Sequence, residues 1–474
     1  MMRETTATDL AGVFESQRAA FAAASFPQLA ERLDRLERLR DMLLQNEAAF
    51  ADAISADFGH RSREETEIGE TFIVLAAIGH TRRHLRRWMK KRRVGTSFHS
   101  LPGRSSITPQ PLGVVGIVSP WNYPLQLALA PAVAALSAGN RVMIKPSELT
   151  PRFSALLADA VAARFGADEC AVVTGGAELG QAFTALPFDH LFFTGSTQVG
   201  RRVALAAAAN LTPVTLELGG KSPAIVDASS DIADAARKIA AGKLFNAGQT
   251  CIAPDYVLVP AGRVDEFAAA FRTAALRLYP RIEGNTDYTS IVNARHHARL
   301  GALLADAQAQ GARVLPVHAE AGGEGSEARR MGPALLLDVN ERMAVMQEEI
   351  FGPLLPVLPY GSLDEAFGYV NARPRPLALY WFGRDPGHRE RVLRETISGG
   401  VTVNDALLHI AQENLPFGGV GASGTGAYHG EWGFRLFSHQ KPVFEQSALA
   451  GSGLVRPPYG RVTAAVLRLL RRMA

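Results

Sequence analysis

The sequence has little of several things, and each shortage narrows the reading. Only two cysteines, Cys170 and Cys251, stand among 474 residues. That excludes a disulfide scaffold and makes a reducing, cytoplasmic compartment the expectation. No uninterrupted apolar run approaches the ~20 residues that span a bilayer. The N-terminal MMRETTATDLAGVFESQ lacks the basic-then-apolar order of a secretory signal. Charge of one sign is scarce too: 50 Lys+Arg against 46 Asp+Glu leave a net charge of +4, which gives no reason to expect nucleic acid as a partner. There is no H-E-x-x-H, no C-x-x-C and no grouped His/Cys spacing, so no metal is expected. Neither G-x-S-x-G nor a P-loop occurs, and there is no internal repeat. What is present is ordinary for a globular chain, with 47% hydrophobic and 20% charged residues. The length implies roughly two or three domains.

Residues 12–58 read as helix, because Leu29, Leu33, Leu36, Leu39, Leu43 and Leu44 recur at spacings of three and four. A second helix runs from about Glu64 to Arg92 and ends in RRHLRRWMKKRR. That run is read as a solvated helix end suited to the helix dipole, in preference to a patch for an anionic partner. From Gly113 short apolar runs alternate with helices: GVVGIVS, a helix Pro124–Ala138, RVMIKP, a helix opened and capped by Thr150-Pro151, CAVVTG, HLFFTG, a helix from about Gln198, and PVTLELGG. A second such series follows Gly220, with SPAIVD, YVLVP, a helix Val264–Leu278, a helix His296–Ala309, RVLPV and GPALLLDV. Buried strands alternating with helices indicate α/β architecture with parallel sheets. AEAGGEGSEARR, 319–330, reads as a surface loop. The closing YGRVTAAVLRLLRRMA is a basic amphipathic helix. Docking on the protein's own surface is the favoured reading, and a peripheral membrane foot is the other.

The most informative stretch is FNAGQTCIAP, 245–254, where Cys251 sits among small and polar residues. Most lone cysteines are buried small hydrophobes, and Cys170, opening CAVVTG, fits that description. Cys251 instead lies in what reads as a flexible polar loop, where a thiol can meet a substrate carbonyl. A nucleophilic thiol needs a base or an electropositive setting. Glu217, at the end of the run PVTL, is a candidate base if burial raises its carboxyl; a solvated strand-end glutamate is the equal alternative. Asn122, in PWNYP, has the amide donor an oxyanion hole needs, and turn initiation between its prolines would also explain it. FTGSTQVG, with Gly195 and Ser196, is a Gly-containing turn from strand to helix that suits a pyrophosphate, although it is not G-x-G-x-x-G. Lys145 and Glu148, in IKPSE, lie at a strand end where ribose hydroxyls could be held.

In their order, PWNYP, IKPSELTP, FTGSTQVG, LELGGKSP, NAGQTC, EEIFGP and LPFGGVGASGTGAYHG resemble the aldehyde dehydrogenase superfamily over nearly the whole chain. The PFGGVGASGTGAYHG–FSH ending and basic tail are similar to the class 3 branch, and ADFGHRSREE, 56–65, to coniferyl aldehyde dehydrogenases. The resemblance implies Cys251 as nucleophile, Glu217 as hydrolytic base, and Asn122 with the Cys251 N–H as oxyanion hole. It implies Pro120, Trp121, Lys145, Glu148, Gly195, Ser196, Glu349 and Phe351 as cofactor-binding, for NAD with NADP as an alternative. Tyr123 and Phe245 lie near these positions and favour an aromatic substrate pocket. The implied fold is a Rossmann-like cofactor domain (1–90 and 113–217), an α/β catalytic domain (218–429) and a small β oligomerisation arm (91–112 and 430–452), followed by a basic tail (453–474). The implied function is NAD(P)-dependent oxidation of a small-molecule aldehyde, aromatic as in coniferyl aldehyde, by a homodimer. Medium- or long-chain aliphatic aldehydes are the alternative substrates. CoA-dependent acyl transfer or acyl-phosphate reduction is disfavoured by Glu217, and a silent structural or binding protein by the joint presence of Cys251 and Glu217.

Overall fold

A computed structural model describes residues 5–318 and 329–473. The expected surface loop therefore lies, over 319–328, outside the described residues. The short apolar runs after Gly113 become strands that are buried almost throughout, as runs covered on both faces must be. Their sheet has six strands, in the order Gly424–Thr425, Val214–Leu218, His190–Gly195, Val114–Val118, Arg141–Lys145, Cys170–Val172. All neighbours are parallel except Gly424–Thr425. The register sets Val118 beside both Lys145 and Phe193, and Thr194 beside Glu217. The carboxyl ends of four strands thus reach one edge, where an open parallel sheet leaves its ligand crevice.

A second sheet of seven strands is ordered Arg313–Pro316, Ala334–Leu337, Leu354–Tyr360, Tyr256–Pro260, Pro223–Val226, Ala378–Phe382, Gly400–Val403. Arg313–Pro316 alone in it runs antiparallel. A third, antiparallel sheet joins Arg92–Val94, Arg104–Pro111 and Ser438–Glu445, the last two paired along their full length.

Several expected boundaries are corrected. The helix expected over 12–58 is two, Ala7–Ala23 and Leu29–Phe58. Pro27 lacks an N–H and drives Phe26 out of the helical region. The second expected helix is α-helical over Arg63–Thr66 and Phe72–Trp88, with a π turn, Glu67–Thr71, between. Its last expected residues instead form the strand Arg92–Val94. Thr150 precedes Pro151–Ala162 as expected but makes no side-chain cap. Asp57 supplies that cap from the end of the long helix, accepting from the N–H groups of Arg152 (3.1 Å) and Phe153 (2.9 Å). The closing helix, Arg461–Met473, does not lay its apolar face on the body. It packs on the turn Gly451–Val455 and leaves Val462, Leu467 and Leu469 exposed, because the exposed stretch 456–460 leads it away. No helix among the described residues is long and apolar enough to cross a membrane.

Candidate active site

The helix Ile232–Leu244 ends in a tight turn, Phe245–Gly248, that leads to Cys251. Asn246 and Ala247 there have φ of 53° and 51°, a left-handed backbone costing about 1–2 kcal/mol per residue. The turn is held in that shape by contacts from three other segments. Glu65 accepts from the Asn246 N–H (3.1 Å), and the Asn246 amide donates to the Asn122 carbonyl (3.0 Å). Gln249 donates to the carbonyls of Asn246 (3.1 Å) and Ser290 (3.0 Å) and accepts from the Val292 N–H (3.0 Å). Asn246, Ala247, Gly248 and Gln249 are all buried. The flexible loop expected from its composition is therefore corrected: the polar side chains are spent tying the turn down.

Cys251 stands between two cavities, lining one while its sequence neighbours line the other. One, about 320 Å³, is mostly apolar and is lined by Gly69, Tyr123, Phe245, Leu408 and the two residues flanking the cysteine, Thr250 and Ile252. The other, about 400 Å³, is lined by Cys251 itself with Pro120, Trp121, Asn122, Thr194, Gly195, Ser196, Glu217, Glu349 and Phe351. These ten positions of the second cavity arrive from five separate segments. Lys145 and Glu148 line neither cavity; they sit at the neighbouring strand end, where the Lys145 ammonium donates to Glu148 (3.1 Å) and to the Pro146 carbonyl (3.2 Å). Burial opposes its charge, yet a backbone N–H and Lys145 hold the Glu148 carboxyl below the usual range.

Around the thiol the field is negative. Burial, then Glu349 and Glu217, push the Cys251 thiol up to about 12, and the backbone N–H groups of Cys251 and Ile252 pull the other way. Of the base or electropositive setting such a thiol needs, the structure offers the backbone dipoles and the nearby carboxyls of Glu217 and Glu349. Burial alone raises the Glu217 carboxyl well above its ordinary value, and neither of its oxygens has a partner. An unpaired buried acid costs at least ~1–3 kcal/mol, which a purely structural glutamate has no reason to incur. Asn122 is buried, and one N–H of its amide goes to the Gln249 carbonyl (3.2 Å), leaving the second for another acceptor. Burial, then Asp255, lifts the Glu349 carboxyl to about 8. It fits against Gly219 because any Cβ there would lie 2.1 Å from its oxygen. Trp121 packs edge-on to Phe351 with ring centroids 5.5 Å apart.

The second cavity also suits a dinucleotide. Ser196 caps the helix Thr197–Ala208 by accepting from the Val199 N–H (3.4 Å), and this helix N-terminus opens on the cavity. Such an end attracts phosphate. The Thr194 hydroxyl beside it is buried without a partner.

A sequence profile of the aldehyde dehydrogenase family matches residues 1–443. The chain belongs to the aldehyde dehydrogenase family. A coniferyl aldehyde dehydrogenase of Pseudomonas sp. strain HR199 is 50% identical over 441 residues, 93% of this chain and 91% of the relative. Among solved structures, the substrate-bound state of Staphylococcus aureus AldH superposes with a TM-score of 0.92 at 39% identity, covering 97% of this chain and 99% of that one. A Mycobacterium tuberculosis aldehyde dehydrogenase complexed with NAD+ gives 0.84 at 28% identity, covering 93% and 91%. This chain is accordingly an oxidoreductase with the aldehyde dehydrogenase fold.

Other residues of this aldehyde dehydrogenase that shape the site were missed in the sequence. The buried pair Arg61–Glu70 (2.7 Å) is one. Glu70 accepts from the N–H groups of Leu125 (2.6 Å) and Gln126 (3.1 Å), and Arg61 donates to the Asn122 carbonyl (3.1 Å), so the pair anchors the segment carrying Asn122. Lys221, paired with Asp255, donates to the carbonyls of Val345 (2.6 Å) and Glu348 (3.0 Å) and so fastens the EEIFGP segment. Lys221 and Gln249 lie inside motifs already noticed. Arg61 and Glu65 lie inside ADFGHRSREE, also noticed, whereas Glu70 looks like a helix-surface charge, and His296 and Arg299, which line the second cavity, carry no local signal.

Proposed function

We propose that this enzyme oxidises an aromatic aldehyde of the coniferyl type to its carboxylic acid, with NAD, through a thioester on Cys251. The observation that carries the reading is the place of Cys251 between an apolar cavity sized for an organic substrate and a second cavity suited to a dinucleotide. Pro120, Trp121, Gly195, Ser196, Glu349 and Phe351 would hold the cofactor, with Lys145 and Glu148 on its adenosine ribose, and bound NAD supplies the hydride acceptor. Cys251 gives up its proton to solvent water and its sulfur adds to the aldehyde carbon, forming a thiohemiacetal whose oxygen carries the negative charge. The second N–H of the Asn122 amide and the Cys251 N–H stabilise the oxyanion so formed. Loss of hydride from the same carbon leaves a thioester. Glu217 takes a proton from water as the water's oxygen attacks that carbon, and collapse releases the acid and the Cys251 thiolate. The division into two easier steps is the advantage of the covalent route.

The aromatic assignment is supported by the name of the Pseudomonas relative and by Tyr123 and Phe245, whose rings are nearly parallel (13°) in the wall of the apolar cavity. A second reading, medium- or long-chain aliphatic aldehydes, is favoured by the exposed apolar side chains of Ile68 and Leu408 at that cavity. Assay of NADH at 340 nm with coniferyl aldehyde, benzaldehyde and decanal decides between them. A kcat/KM for decanal above both aromatics would refute the aromatic reading.

The six-stranded sheet with its helices is read as the cofactor domain, the seven-stranded sheet as the catalytic domain, and the three-stranded sheet as an arm. The outer edges of that arm, Arg92–Val94 and Ser438–Glu445, suit pairing with a second copy. A cytoplasmic homodimer is the assembly we infer.

A further inference from the structure

We propose that Gly69, on the π turn Glu67–Thr71, sets the width of the substrate cavity and admits ring-bearing aldehydes. The inference rests on the apolar cavity being the aldehyde's path to Cys251. Gly69 lies in its wall, behind the ring pair of Tyr123 and Phe245. A Cβ at position 69 would stand 3.1 Å from Cε1 of Phe245 and 3.1 Å from Cε1 of Tyr123. Carbon atoms prefer ~3.5–4.0 Å, so even a methyl group would press on both rings.

The two rings are not equally free to yield. The Tyr123 hydroxyl is bonded to the Thr250 hydroxyl (2.6 Å), and the Arg61 guanidinium lies over its ring at 4.9 Å. Arg61 is itself locked to Glu70 on the same π turn (2.7 Å). Phe245 has no polar tether on its ring, and the cavity is the open space beside it. A side chain at 69 therefore tips Phe245 into the cavity and narrows the path beside Thr250. Backbone geometry does not require the glycine, since Gly69 lies outside the positive-φ region, and alanine is the better helix former. The missing side chain is thus explained by the space in front of it. The π turn belongs to the same device: π turns inside α-helices recur at functional sites, and here one sets Gly69 against the rings while Glu70 caps the helix that follows Tyr123.

The test compares the unmodified enzyme with Gly69→Ala, Phe245→Leu and the double variant, using cinnamaldehyde and cyclohexanecarboxaldehyde as ring-bearing probes and propanal as the small one. Gly69→Ala should lower kcat/KM for both ring-bearing aldehydes by about tenfold or more, the effect of a methylene's worth of space, mainly through KM. Propanal should stay within about twofold. In the Phe245→Leu background the same change should cost the ring-bearing probes clearly less, because the displaced ring is gone. Equal losses on all three aldehydes would mean a merely structural glycine and would overturn the proposal, as would no loss on the ring-bearing pair. Thermal unfolding of each variant separates misfolding from occlusion. Poor oxidation of cinnamaldehyde by the unmodified enzyme would sink the aromatic assignment alone, because cyclohexanecarboxaldehyde against propanal still reads the width.

Discussion

Replacing Glu217 by Gln tests the mechanism at its most exposed point, because that carboxyl acts on its surroundings through charge, on Cys251 and Tyr428, and holds no hydrogen bond. Both oxygens are buried and unpartnered, so the isosteric amide breaks no hydrogen bond and the fold should survive. Loss of a general base lowers rates by about 10²–10⁴, or roughly 3–5 kcal/mol of barrier at 1.36 kcal/mol per tenfold. The loss should fall on hydrolysis of the thioester, since loss of hydride from the thiohemiacetal needs no water. Rapid mixing should then show a burst of NADH followed by a slow steady state, and intact mass spectrometry should find the acyl group on Cys251. Stability supplies an independent check. The folded-state carboxyl is raised above its unfolded value near 4.5 by burial, so folding favours its protonated form, and its deprotonated fraction serves as the base. Stability from this group is fully present below the unfolded value and is lost as pH rises toward the folded one. Gln cannot titrate, so the variant's melting temperature should gain on that of the unmodified enzyme as pH rises above the unfolded value near 4.5. Undiminished steady-state turnover in Glu217→Gln would remove Glu217 from the mechanism.

Three further outcomes are expected. Cys251→Ala should abolish NADH production while leaving NAD binding by calorimetry nearly intact, and Cys170→Ala, in the buried strand Cys170–Val172, should keep near-normal turnover; residual activity above a few per cent in Cys251→Ala would contradict covalent catalysis. Glu148→Gln removes a carboxylate that would repel a 2′-phosphate, so the ratio of kcat/KM for NADP over NAD should rise, and an unchanged ratio would detach Glu148 from cofactor choice. Glu70→Ala leaves the guanidinium of Arg61 buried and unpaired, which should cost about 3–5 kcal/mol in urea unfolding; a loss under 1 kcal/mol would show that the pair is dispensable.

The strand–helix alternation from Gly113 to Leu218 was legible because each buried strand is a short apolar run and two of the helices open on a proline, Pro124 and Pro151. The Pro124–Ala138 and Val264–Leu278 helices emerge with the expected ends. Less legible were places where one segment completes another. The cap of Pro151–Ala162 comes from Asp57, and the turn before Cys251 is held by Glu65. Both acids stand in ADFGHRSREE, but the bond each makes has no local signature, since its partner lies about 95 or more residues away. The π turn at Glu67–Thr71 was invisible for a related reason: hydrophobic period alone does not distinguish one extra residue in a long helix.

By itself the sequence determined the order of the motifs, hence the family, and the alternation that builds parallel sheets, and it singled out Cys251 and Glu217 as candidates. Those follow from residue types and spacings, which are local properties of a chain. Tertiary structure alone decided that Cys251 stands between two cavities, that its neighbouring charges are carboxylates, that Lys145 and Glu148 stay outside both cavities, and that Gly69 faces two aromatic rings. These depend on register between strands and on packing between helices distant in sequence. A thiol's proton affinity is set by which charges and how much water lie within a few ångströms of it, and that neighbourhood exists only once the chain has folded.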